Sequence, residues 1–278
     1  MSGQVLLVEC DDRRGLVHAI TGVLLGHGAN IVGNQEFVDR RSSRFFMRTE
    51  FDGTVDSLRL ESEVREALPP GAAVRLSALE PKRIVVLVSK EHHCLGDLLI
   101  RHAFGELNAR IDAVIGNHAA LQPLVGKFEL PFHFISHEGL SREAHEAEML
   151  KVIEPLRPDY LVLAKYMRVL SADFVGRFPA RIVNIHHSFL PAFIGARPYQ
   201  QAFDRGVKVI GASAHYVTEQ LDDGPIIVQQ VIPVDHTHTP LHLTQAGRNV
   251  EQMVLARALH LVFDERVFLS GNRTIIFD

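Results

Sequence analysis

The spacing of apolar residues changes character near Pro81, and each side of that point predicts its own set of elements. Before it the apolar runs are short. Gln4 to Val8 reads as a strand, and Gly15 to His27 sets Leu16, Ile20, Val23 and Leu24 at helical spacing behind Asp11 and Asp12, which are placed to cap the helix start. Gly26 and Gly28 end that helix. Ala29 to Val38 and Arg44 to Phe51 predict two strands across a polar turn, Val55 to Leu68 a helix stopped by Pro69-Pro70-Gly71, and Ala73 to Leu79 a last strand. The order strand, helix, strand, strand, helix, strand is the split βαβ pattern of ferredoxin-like domains, which assigns residues 1–80 to a first domain.

From Arg83 strands alternate with helices. The unbroken apolar run Ile84 to Val88 fits a parallel strand covered on both faces, so residues 84–278 are expected to form a doubly wound, mostly parallel α/β sheet. Further strands are predicted at Ala109 to Ile115, Phe132 to Ile135, Asp159 to Ala164 and Arg181 to Ile185, with helices at Leu95 to Phe104 and, capped by Ser141, to about Glu154. Val209 to Tyr216 and Ile226 to Ile232 pair around the loop at Thr218 to Gly224, and Leu241 to Phe263 forms a long closing helix.

A formal charge of −4 with scattered basic residues gives no electrostatic reason to expect nucleic acid or an anionic membrane as partner, which turns attention to small molecules. Cys10 and Cys94 are read as free thiols of a reducing compartment. The first residues carry no secretory pattern and no apolar stretch is long enough to cross a bilayer, so the cytoplasm is the expected location.

The predicted strand Arg181 to Ile185 stops at a loop rich in His and Pro, which puts Asn184 and His186 at its carboxyl end, where open α/β sheets bind ligands. Acyl transfer needs a donor for the developing oxyanion, a proton shuttle, and a group that positions the acceptor. Asn184 suits the first role because its amide keeps its protons. His186 suits the first two, and a carboxylate such as Asp222 would favour its charged form and could orient a water. Asp222 lies in the turn Leu221-Asp222-Asp223-Gly224-Pro225, where an aspartate also commonly serves only the backbone. Spacing leaves both roles open.

The strings Asn184-Ile185-His186 with Ser188-Phe189-Leu190-Pro191, and His215-Tyr216-Val217-Thr218 with Leu221-Asp222-Asp223-Gly224-Pro225, resemble the formyltransferase family that uses 10-formyltetrahydrofolate. The resemblance implies a catalytic triad of Asn184, His186 and Asp222. Leu163 to Ser171 is similar to that family's pterin-binding segment, implying a folate pocket lined by Met167, Arg168, Val169 and Leu170, with Val217, Thr218 and Leu221 opposite. Ser141-Arg142-Glu143 resembles a segment whose arginine lies near the substrates' anionic ends, so Arg142 is a candidate for the glutamyl tail.

Asp12-Arg13-Arg14-Gly15-Leu16-Val17 and Gly28-Ala29-Asn30-Ile31 resemble ACT domains, small ligand-sensing modules that pair with one another and often bind amino acids. That implies a homo-oligomer and a possible amino-acid effector near Gly15. The same glycine also suits a tight turn with no ligand.

Transformylases that use glycinamide ribonucleotide carry a glycine-rich phosphate loop after their first strand. Here Ser89-Lys90-Glu91-His92-His93-Cys94 has no glycine and an acid where a phosphate would approach, which predicts a closed acceptor side and leaves water as acceptor. An ACT-like module ahead of such a domain, with the Ile194 to Tyr199 loop and the His186-His187 doublet, resembles formyltetrahydrofolate deformylases. The resemblance implies hydrolysis of the folate substrate to tetrahydrofolate and formate, which links the reaction to purine synthesis, with no separate cofactor. Two other readings are transfer of the formyl group to an amine, and a folate-binding regulatory protein without turnover. A metal site built from His186, His187, His215, Asp222, His236 and His238 is not expected, because neighbours on a strand point to opposite faces.

Overall fold

The computed structural model describes residues 3–191 and 198–278. Two compact units divide the chain. The first is built from β1 (Gln4–Asp11), α1 (Leu16–Gly26), β2 (Asn30–Asp39), β3 (Arg44–Asp52), α2 (Ser57–Glu66) and β4 (Ala73–Ala78). Its sheet has the order β2-β3-β1-β4, with all pairs antiparallel, as the split βαβ pattern requires. One detail differs from the sequence reading. β1 continues to Asp11, whose carboxylate accepts from Arg44 on β3 at 2.8 Å, so it lies in the ladder and does not cap α1. The cap position is Gly15, at φ 86° and with no side-chain cap bond. This left-handed backbone accounts for the glycine.

The second unit carries a seven-stranded sheet. Its elements are β5 (Lys82–Val88), α3 (His93–Ala103), β6 (Ala109–Gly116), α4 (Gln122–Gly126), β7 (Phe132–Phe134), α5 (Arg142–Leu156), β8 (Tyr160–Leu163), α6 (Ala172–Arg177), β9 (Ile182–His186), α7 (Pro198–Arg205), β10 (Val209–Tyr216), β11 (Ile226–Pro233) and α8 (Pro240–Phe263). The order is β11-β10-β9-β8-β5-β6-β7, parallel from β7 to β9 and antiparallel at β10 and β11. Ile84 to Val88 are fully buried, as a central strand between helical layers must be. Strand order reverses between β5 and β8, and the crevice beyond their carboxyl ends is where such sheets bind ligands. Ser141 caps α5 as its sequence suggests, accepting from Ala144 N at 3.1 Å. The short helices α4, α6 and α7 had no sequence signal strong enough to predict them.

Beyond α8 the chain forms a hairpin, β12 (Val267–Ser270) and β13 (Arg273–Ile276). Asp264–Phe268 and Ile276–Asp278 group with the first unit and Leu269–Ile275 with the second, a division that a single boundary near Pro81 does not contain. The reason lies in side chains. Buried Glu265 accepts from Arg75 and Ser77, Arg48 donates to the carbonyls of Asp264 and Glu265, and Phe268 packs edge-on against Phe46 and Phe277. No helix among the described residues is long and apolar enough to cross a membrane.

Candidate active site

Side chains alternate along a strand, so Asn184 and His186 share one face at the end of β9 while Ile185 turns into the core. Antiparallel pairing sets His215 of β10 directly opposite Asn184. His215 Nδ1 lies 2.9 Å from the carbonyl of Tyr216, which can only accept, so Nδ1 carries the proton and Nε2 is bare. The Asn184 amide donates to that bare nitrogen at 3.2 Å, which fixes the orientation of the amide and leaves its second N–H for the cavity. Burial lowers the His215 pKa, and the two arrangements agree on a neutral ring.

Asp222 sits in the loop between β10 and β11 at φ 54°, a left-handed conformation that costs a non-glycine residue energy. The loop is held close to β10: the Tyr216 amide donates to the Pro225 carbonyl at 2.9 Å, and Asn272 of the hairpin donates to the Asp223 carbonyl at 3.0 Å. Asp222 Oδ1 thereby stands 3.3 Å from His186 Nδ1 and 3.8 Å from His215 Nε2. His186 Nε2 is buried with no hydrogen-bond partner among the described residues, as expected of a ring nitrogen that serves a ligand.

Burial pushes the Asp222 carboxyl up. The hydrogen bond and charge of His186, the largest of the opposing influences, outweigh it, and the pKa falls below the ordinary value of about 3.8. A lowered carboxyl pKa contributes stability that is present above the unfolded value and lost as pH falls through the folded one. His186→Asn removes the largest of the lowering influences, so burial should then dominate. We expect the Asp222 carboxyl carbon to titrate below its ordinary value in the wild type and above it in His186→Asn, as read by carbon-13 NMR. Equal values in both proteins would contradict this account.

The facing wall is the segment after β8, and it is pinned along its length. Lys165, at φ 62°, reaches Glu251 at 3.0 Å; the Met167 amide donates to Ser89 Oγ at 2.9 Å; Ser171 donates through its amide at 2.7 Å and its hydroxyl to buried Glu146. This backbone is ordered before any ligand arrives. Met167 (60% exposed) and Val169 on this wall and Leu221 (62%) across from it leave apolar surface uncovered around a cavity of about 220 Å³. Such surface marks a binding cleft. Met167, Arg168, Val169, Leu170, Val217, Thr218, Leu221, Asn184, His186 and Asp222 all line it. Arg142 does not. It stays at the exposed start of α5, 3.3 Å from Glu143. Gly15 is not part of that lining, and a methyl group at its position would touch nothing within 4 Å. Ile194 to Arg197 lie outside the described residues.

Two known families match successive parts of the sequence, the ACT domain over residues 4–68 and formyl transferase over residues 82–259. Formyltetrahydrofolate deformylase from Escherichia coli O6:H1 (strain CFT073) is 56% identical over 273 residues, which is 98% of each chain. The chain belongs to the formyltetrahydrofolate deformylase family. The solved deformylase of Pseudomonas syringae pv. tomato superposes with a TM-score of 0.96 at 37% identity, covering 100% of this chain and 95% of that one. A glycinamide ribonucleotide transformylase from Symbiobacterium toebii aligns with 71% of this chain and 95% of its own, with a TM-score of 0.68 and 31% identity. The fold is accordingly an ACT domain followed by a formyltransferase domain.

The structure corrects two expectations drawn from loop composition and strand alternation. The acceptor side is not closed: a second cavity of about 530 Å³ opens beside the first, and the Glu91 carboxylate is bound by Arg248 at 2.6 Å, so its charge does not stand alone. His93 lines this cavity, buried against Glu251 at 2.8 Å, while His92 is exposed. The rings of His186 and His187 do not point apart either. β9 ends at His186, and the two rings stack at 4.7 Å. The ligand atoms of that region still do not fall within one ion's reach; among the described residues the group that does is His93, Cys94 and Glu251, whose carboxylate Lys165 already holds.

Sequence reasoning assigned no role in the site to Ser89, Lys165 and Glu251 and did not see His215 as the partner of Asn184. The signal for His215 was its place on a strand that pairs with β9. Glu251 had none, since an acid within a long helix reads as surface. Here His93, Lys165 and Tyr199 surround it, and although burial raises its pKa their bonds and charges carry it down to about 2.

Proposed function

We propose that this protein hydrolyses 10-formyltetrahydrofolate to tetrahydrofolate and formate, with Asn184, His186 and Asp222 as its catalytic residues. The observation that carries the reading is the meeting of these three on one wall of a cleft whose other wall is apolar and preordered. A water held by Asp222 attacks the formyl carbon and passes its proton to the carboxylate as the new C–O bond forms. Charge gathers on the formyl oxygen, where the free N–H of Asn184 and the N–H at His186 Nε2 receive it. The C–N bond then breaks as His186 gives a proton to the folate nitrogen, the proton held by Asp222 returns to His186 across their 3.3 Å contact, and the formic acid formed loses its proton to solvent as formate.

Met167, Val169 and Leu221 cover the faces of the pterin ring, and Arg168, Leu170, Val217 and Thr218 complete its pocket. The scheme uses no cofactor beyond the folate substrate. Residues 1–80, joined by Asp264–Phe268 and Ile276–Asp278, act as the sensing and pairing domain, and the remainder of 84–278 as the catalytic one. Self-association through the first is supported by β2, an edge strand with Val32 and Phe37 exposed. The left-handed turn at Gly15 is compatible with an amino-acid effector, and the buried thiols of Cys10 and Cys94 fit the cytoplasm.

Formate release from 10-formyltetrahydrofolate, measured with and without amine acceptors, tests the reading. Formate and tetrahydrofolate are expected in equal amounts with no amine present. Release that depends on an amine would make the protein a transferase, and folate binding without release a regulatory protein.

A further inference from the structure

The second cavity has no occupant in this hydrolytic scheme, yet its wall is charged and unsatisfied. Four cations, Lys90, Lys165, Arg168 and Arg248, face two carboxylates, Glu91 and Glu251. Lys165 holds Glu251 and Arg248 holds Glu91, so Lys90 and Arg168 are left with no carboxylate within ion-pair distance among the described residues. Asn117, only 4% exposed, has its Oδ1 without a hydrogen-bond partner, and His93 Nδ1 and His137 Nδ1 are buried on the same wall in the same condition. Buried polar atoms left this way call for a polar occupant or the water that travels with one. Burial and the nearby charge of Lys90 both lower the His118 pKa, as a positive field in the cavity would.

The two cavities adjoin. Lys165, Met167, Arg168 and His187 line both, and the His187 ring lies against that of His186. An anion formed at the triad therefore has a positively charged space next to it, on the side that the folate does not fill.

We propose that this second cavity is the binding site and exit of the carboxylate product: formate passes His187, pairs with Arg168 and Lys90, and leaves while tetrahydrofolate still occupies the first cavity. The proposal rests on the hydrolytic reading above. An excess of two positive charges, one on an exposed lysine, suits a monoanion that must leave again more than a ligand held for long.

The test has two arms. In the first, carbon-13 formate is titrated into the resting protein at constant ionic strength, with chloride and inorganic phosphate as rival anions. Saturable line broadening is expected in the wild type, and Lys90→Ala should weaken it about fivefold or more, the loss of one charge-assisted contact. In the second, formate is added during turnover, where release ahead of tetrahydrofolate predicts noncompetitive inhibition against 10-formyltetrahydrofolate and competitive inhibition by tetrahydrofolate. Competitive inhibition by formate, unchanged binding in Lys90→Ala, or phosphate binding about tenfold tighter than formate would each overturn the proposal. If the protein released no formate at all, the hydrolytic reading would fail, and the first arm would still report on the site.

Discussion

Asp222→Asn is expected to lower kcat for formate release by roughly a thousandfold while leaving folate affinity within about threefold. The substitution keeps the size of the side chain and can keep a contact to His186, now at 3.3 Å. It removes the proton acceptor and the negative charge. Folate affinity should survive because the apolar wall and the pinned segment from Lys165 to Ser171 do not depend on that charge. Rapid-quench kinetics and equilibrium titration with a nonhydrolysable folate separate the two quantities. Wild-type turnover in a folded Asp222→Asn protein would remove Asp222 from the chemistry.

Gly224→Ala should be nearly as damaging for a different reason. A Cβ at this position would come within 1.7 Å of the Tyr216 carbonyl oxygen and 2.9 Å of its carbon, both of them backbone. That carbonyl is also the acceptor that fixes the proton on His215 Nδ1, and through it the bare Nε2 that orients Asn184. One methyl group thus pushes on the loop that carries Asp222 and on the hydrogen bonds behind Asn184 together. We expect a loss of about 3 kcal/mol in stability, seen as a lowered Tm, and a fall in kcat of about a hundredfold or more. A Gly224→Ala protein with unchanged Tm and kcat would show that the loop can yield without cost.

The sequence carried the sheet clearly and the site unevenly. Ile84 to Val88 can hardly be anything other than a central strand, and the single residue between Asn184 and His186 puts them on one face wherever β9 lies. Asp222 was different. Its turn explains an aspartate without any catalysis, and only a family resemblance pointed to chemistry. The capping role expected of Asp11 failed because a ladder partner, Arg44, was invisible in a local window. The closed acceptor side failed in the same way. Glu91 was read as an isolated charge, whereas Arg248, far along the chain on α8, neutralises it. Local pattern fixes elements and faces; the partner of a charge depends on contacts between distant segments, and a single sequence does not display them.

The return of Asp264–Phe268 and Ile276–Asp278 to the first unit bears on how the protein is made. During synthesis the strands β1 to β4 emerge early, but the carboxylate that Arg75 and Ser77 grip and the ring that covers Phe46 reach them only after Pro81–Phe263, the main body of the second unit, has been translated. The domain translated first is therefore among the last to be finished, and a nascent chain halted after α8 should hold it in a looser, protease-sensitive form.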